Sequence, residues 1–170
     1  MFIIAEGFDN SGKTTLLTKL SKELSIPVTH SPGHGIDLRE SLSQIIEDSK
    51  NQDMLRDRIC LVSEEVYGKI LRGKSEFDSD SNTWWLSLIK AQKPILIFCR
   101  PPTENIIGDM TGREQMEGVI THSRSLLRRY DEVFTYLKQE YGDSLNLLTY
   151  DYTQDPEATQ ILDDIRRINQ

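Results

Sequence analysis

Four residues near the start of the chain have types and spacing suited to phosphate chemistry. Gly7 and Gly12 bracket "FDNS", and Lys13 and Thr14 follow at once, giving G-x-x-x-x-G-K-[ST]. Glycines let the backbone turn its N–H groups inward onto a polyphosphate, and a following helix N-terminus adds positive partial charge there. Lys13 would reach the outer phosphates, and the Thr14 hydroxyl is a hard oxygen ligand of the kind Mg²⁺ takes. On this reading Gly7, Asn10, Ser11, Gly12, Lys13, Thr14 and Thr15 form a cradle for ATP. Asp9 is the anomaly, because it sets a carboxylate inside a loop built for anions.

The stretch "FIIAEGFDNSGKTTLLTKL" resembles the start of the thymidylate kinase family, whose loop reads E-G-x-D-G-x-G-K-[ST]-T. The resemblance implies that Asp9 turns away from the donor and bonds a sugar hydroxyl of the acceptor. Read from the residue alone, Asp9 also suits an internal bond that organises the loop. Asp57-Arg58 is similar to that family's Asp-Arg pair at the end of the third strand, which implies Asp57 near Mg²⁺ and Arg58 on an acceptor phosphate. By residue type alone the pair also fits an exposed ion pair at a helix start. "SEEVYG" resembles phage-encoded members of the family, which makes Ser63, Glu64 and Tyr67 acceptor-binding candidates; each also suits a helix surface or a core aromatic. "FCRPPTENI" is similar to the fourth strand and its exit. "GREQMEGVITH" occupies the lid position, with Arg113 as its catalytic arginine, Arg100 as a second cation, and a lid spanning about residues 108–120. "TYDYTQDPE" resembles the adenine-holding segment and points to Tyr150, Asp151 and Tyr152.

These side chains need a frame. Phe2 to Ala5 is an apolar β-former run ahead of the loop, and Leu16, Leu17, Leu20 and Leu24 recur at helical spacing behind it. Further strands are expected over 26–29, from "DMLRDR" ending at Asp57, at 94–99 and at 145–150. Helices are expected from Leu38, over 61–72 with Gly73 as its stop, over 83–92, over 116–141 with Gly142 as terminator, and from a first turn containing Pro156. "PILIFC" is the continuous apolar run of a strand buried on both faces. Strands separated by helices give an α/β fold, a three-layer α/β/α sandwich on a five-stranded parallel sheet, of P-loop kinase type by the resemblance. One domain spans 1–170 on this reading. Trp84 and Trp85 read as core.

Composition narrows the setting. The net charge of −7 disfavours broad, nonspecific nucleic-acid binding, although a local basic groove is compatible with it. No apolar run is long enough to span a bilayer, and the N-terminus does not read as a signal peptide. Cys60 and Cys99 form no metal or disulfide spacing, so a reducing, cytoplasmic setting is expected, in a host cell if the chain is phage-encoded. The helix over 61–72 suits either an internal position or the face of a homodimer. Taken with the resemblance, these features imply an ATP- and Mg²⁺-dependent phosphotransferase acting on a deoxynucleoside monophosphate. The phage-like "DRICLVSEEVYG" suggests as an alternative a kinase of 5-hydroxymethyluracil in phage DNA. A nucleotide-binding module without transfer is the third reading.

Overall fold

The computed structural model describes residues 1–30, 37–108, 117–142 and 144–170. Five strands, β1 (Phe2–Glu6), β2 (Val28–His30), β3 (Met54–Asp57), β4 (Ile95–Cys99) and β5 (Asn146–Tyr150), form one parallel sheet in the order β2-β3-β1-β4-β5. Helices α1 (Lys13–Leu24), α2 (Leu38–Asn51), α3 (Cys60–Ser63), α4 (Ser81–Ala91), α5 (Thr103–Gly108), α6 (Ser123–Tyr141) and α7 (Thr159–Ile168) alternate with them, and a π-helix, Glu64–Arg72, continues α3.

The strand period of two sorts the core into two layers. Phe2 and Ile4 join Met54, Leu96 and Phe98 under α2, α4 and α6, whereas Ile3 and Ala5 join Leu55, Ile95 and Ile97 under α1 and α7. Both faces of β1 and β4 are therefore covered, which is why those strands carry apolar runs. The expected α/β sandwich is the observed one. The apolar side of the 61–72 segment, including Leu61, Val62, Val66 and Tyr67, is buried inside the chain.

Several boundaries differ from the sequence expectation. Residues 61–72 are not one α-helix: nine of them wind with the wider π register, and Gly73, at φ 74°, ends the run as expected. The helix expected from 116 begins at Ser123, because Gly118 sits at φ 82° and residues 117–122 turn. Pro156 lies before the closing helix, not in its first turn. That helix starts at Thr159, where Asp155 accepts the N–H groups of Thr159 at 2.9 Å and Ile161 at 3.2 Å. The short α5 had no counterpart in the sequence reading.

Candidate active site

The phosphate loop leaves β1 at Glu6 and enters α1 at Lys13. Gly7 is at φ 147°, and a Cβ there would stand 2.5 Å from the Cys99 carbonyl oxygen, so the loop can pass over β4 only as glycine. Gly12 is at φ 87° beneath the Tyr152 ring, which a Cβ would meet at 2.8 Å. Asn10, Ser11, Gly12, Lys13, Thr14 and Thr15 line a cavity of about 390 Å³, closed on its far side by Tyr150, Tyr152 and Pro156. Thr14 and Thr15 are exposed. Tyr150 and Tyr152 thus lie on the same cavity as the loop, while Gly7 lies behind it.

Lys13 is buried, and its Nζ donates to the carbonyls of Gly7 at 3.0 Å and Phe8 at 2.8 Å. Burial, and then repulsion from Arg58, lower its pKa to about 8. The ammonium is therefore stored against neutral acceptors, in an environment that favours an incoming anion.

Across the loop stands a second cluster around Arg58. The residue follows β3 and occupies φ 69°, a left-handed conformation costly for a side-chain-bearing residue. Its guanidinium donates to Tyr130 Oη at 2.6 Å, to Asp9 Oδ1 at 2.5 Å and to Tyr67 Oη at 3.4 Å, and lies over the Tyr67 ring at 5.3 Å. Tyr67 stacks near-parallel to Phe8 and meets Tyr130 edge-on, so three elements converge on this one cation. Burial raises both phenols, Tyr67 to about 12, which keeps them neutral partners for Arg58.

The other expected residues are distributed as follows. Asp57 Oδ2 lies 3.4 Å from His30 Nδ1. Ser63 closes α3, half-buried. The Glu64 carboxylate is gripped by Arg72 at 2.6 and 2.7 Å and accepts the Glu76 amide at 3.2 Å, so it is committed to a surface clasp and not to the Arg58 cluster. Arg100 pairs with Asp131, and Arg129 with Glu65 and Glu132. Trp85 is core, while Trp84 donates to Asp80. Arg113, and with it most of the expected lid, lies outside the described residues.

Three contributors were not singled out from sequence. Glu6 is the lone carboxylate of a five-residue strand in which every position is buried. That break in an apolar run was the available signal. Tyr130 sits on the inward stripe of α6 and reads there as core, and Phe8 reads as a loop residue. Thr14 and Asp57 offer hard oxygen donors suited to Mg²⁺, and no group of three or more His, Cys, Asp or Glu that could hold a metal occurs among the described residues. A cation here would therefore complete its shell from phosphates and water, as Mg²⁺ commonly does.

No protein-family model matches the chain. The thymidylate kinase of Mycoplasma capricolum is 48% identical over 59 residues, a segment that covers 32% of this chain and 27% of that protein. Among solved structures, the Bacillus subtilis YorR protein, in complex with phosphorylated GDP, aligns over 99% of this chain and 96% of its own with a TM-score of 0.74 at 24% identity. Deoxyadenosine kinase from M. mycoides with bound dATP aligns over the whole of both chains, with a TM-score of 0.61 at 19% identity. Thymidylate kinase from Ehrlichia chaffeensis aligns over 100% of this chain and 98% of its own, with a TM-score of 0.52 at 16% identity. The chain has the fold of the P-loop nucleoside and nucleotide kinases and, over the matched segment, is a homologue of thymidylate kinase.

Proposed function

We propose that the protein transfers the γ-phosphate of ATP to a deoxynucleoside monophosphate. The observation that carries this reading is the pairing of two chemically different sites across one loop: a cavity of about 390 Å³ floored by Lys13 on one side, and the Asp9, Arg58, Tyr67 and Tyr130 cluster on the other. A triphosphate in the cavity would exchange the two carbonyls on Lys13 for anionic oxygens, which form stronger, charge-assisted bonds. Its arrival would also favour the protonated ammonium. Tyr152 and Tyr150, which line the same cavity, would bound the nucleobase end.

Mg²⁺ held by Thr14 and Asp57 would neutralise charge on the outer phosphates. The remaining work is alignment. Lys13 would hold the donor, and Arg58, fixed by two tyrosines and Asp9, would set its positive charge beside the acceptor while the acceptor oxygen attacks in line. Arg113 is our candidate for the lid cation that stabilises the transferring group. Ser63 and Glu64 could join the acceptor site, Glu64 only by leaving Arg72.

A second reading is a nucleoside acceptor lacking phosphate. It is favoured by the Asp9 to Arg58 ion pair, which already balances the one cation central to the cluster. A single assay separates these readings. Purified protein with γ-labelled ATP is offered natural deoxynucleoside monophosphates, the corresponding nucleosides, and DNA containing 5-hydroxymethyluracil. Transfer to a monophosphate is expected. Transfer only to nucleosides selects the second reading, transfer only to DNA selects the DNA kinase, and ATP binding without transfer to any of them refutes phosphotransfer.

A further inference from the structure

Glu6 is fully buried in the middle of the sheet, beside Lys13 and Arg58, and no step described above uses it. A buried carboxylate is strongly destabilising unless its oxygens are satisfied. Oε1 accepts the Ile59 N–H at 2.6 Å, a bond that spans 53 residues, while Oε2 has no hydrogen-bond partner among the described residues. The strand could have ended in a fifth apolar residue at lower cost. Besides the negative charge it sets beside Arg58 and Lys13, the carboxylate supplies the bond at Ile59.

Residue 59 matters because of what precedes it. The pairing of β1 with β3 ends at Ala5 opposite Asp57, and the chain then turns through Arg58 at φ 69°. Two bonds bracket that turn. The Arg58 N–H donates to the Ala5 carbonyl at 3.0 Å, and the Ile59 N–H donates to Glu6. Ile59 is also the residue from which α3 starts, and its own N–H is the one held by Glu6. A left-handed arginine persists only where its surroundings over-determine it. The direction of its side chain, toward Tyr130, Asp9 and Tyr67, follows from that backbone conformation.

We propose that Glu6 is the positioning residue of Arg58: by holding the Ile59 amide through Oε1 it fixes the left-handed turn from which Arg58 faces the acceptor. The inference rests on the phosphotransferase reading for its consequence, though not for its geometry. Glu6 is sealed from solvent and acts through Arg58 without touching substrate.

Two substitutions separate the bond from the charge. Glu6→Gln keeps an oxygen at the same reach and loses the charge; Glu6→Asp keeps the charge and draws the oxygen back by one methylene. In steady-state kinetics with thymidine monophosphate as acceptor, Glu6→Asp is expected to raise the acceptor KM about tenfold or more, with the ATP KM within about twofold, and Glu6→Gln to stay within about threefold for both. Crystal structures of both variants give a readout independent of turnover: Arg58 stays left-handed with Gln and leaves that region with Asp. Glu6→Met, which has no acceptor oxygen at all, takes the place of Asp should that variant not fold. An Arg58 turn unchanged in Glu6→Asp, or lost equally in Glu6→Gln, overturns the proposal. A wild-type protein that binds ATP but phosphorylates no acceptor overturns the functional reading instead, and the Arg58 conformation still decides the role of Glu6.

Discussion

Asp9 Oδ1 lies 2.5 Å from Arg58 Nη2, so the carboxylate in the phosphate loop faces the end of β3 and not the cavity floored by Lys13. An acid in an anion-binding loop is thereby reconciled with its charge: it is balanced by a cation 49 residues away, on the other side of the loop. Asp9→Asn keeps an oxygen on Arg58 but removes the ion pair. A stability loss of roughly 1–2 kcal/mol is expected, since the pair is partly buried. Acceptor KM should change more than ATP affinity. ATP binding that weakens while the acceptor KM holds would put Asp9 on the donor side.

Lys13 is the cation proposed for the donor site, and its burial makes the outcome of removing it specific. Lys13→Met fills most of the same volume, relieves the repulsion with Arg58 and leaves two loop carbonyls without their donor, so the net change in stability should be small. Phosphotransfer should fall about a hundredfold or more, because the lost interaction is with the transferring phosphates. Paired urea melts and turnover assays check both halves. Retained activity would remove Lys13 from the mechanism.

Tyr130 offers a cleaner probe of the Arg58 cluster, because Phe keeps the ring stacked on Phe98 and removes only the hydroxyl. That hydroxyl accepts from the guanidinium at 2.6 Å in a fully buried setting. Tyr130→Phe is expected to cost roughly 1.5–3 kcal/mol, the range for a hydrogen bond to a charged group, and to weaken acceptor binding with ATP affinity unchanged. Isothermal titration with each ligand tests this, and equal losses for both would argue against separate sites.

The buried charges also set a pH dependence of stability. Burial raises Glu6 from 4.5 to about 7, so folding favours its protonated form. That contribution is fully present below pH 4.5 and is lost as pH rises through 7. Lys13 is lowered from 10.5 to about 8, so its contribution is present above 10.5 and lost as pH falls through 8. Stability from these two groups is therefore lowest near pH 7 to 8. Urea unfolding of Glu6→Gln should lack the fall between pH 4.5 and 7. An unchanged profile would mean that Glu6 is ionised throughout.

Local spacing made the phosphate loop and the five strands legible, since G-x-x-x-x-G-K-T and the apolar runs report on neighbours in sequence. Features set by distant partners were not legible. Arg58 looks like any strand-end arginine until Ala5 and Glu6 bracket its turn, and Glu6 is linked to Ile59 across the sheet. The π-helix escaped because Val66, Ile70 and Leu71 recur at a spacing that an ordinary α-helix also carries, so the wider register left no mark in the local pattern. Asp155 as the acceptor for the first turn of α7 was hidden by the intervening Pro156, which reads as a helix start.

That π-helix supplies the last prediction. Gly68 follows Tyr67 directly, and a Cβ added there would stand 2.7 Å from the Lys74 carbonyl oxygen and 2.9 Å from Glu64 Oε2. Alanine is the better helix former by about 1 kcal/mol, but the nearest obstacle is backbone and cannot swing aside, so the clash should win. Gly68→Ala is expected to destabilise by roughly 1–3 kcal/mol and, by shifting the turn that carries Tyr67, to raise the acceptor KM. Gly73→Ala is the control: its φ of 74° carries backbone strain, yet nothing lies within 4 Å of the new Cβ. It should cost only about 1 kcal/mol and leave both KM values in place. Thermal melts and kinetics of the two variants side by side test the assignment, and a Gly68→Ala protein as stable as wild type would mean that the segment relaxes readily into an ordinary α-helix.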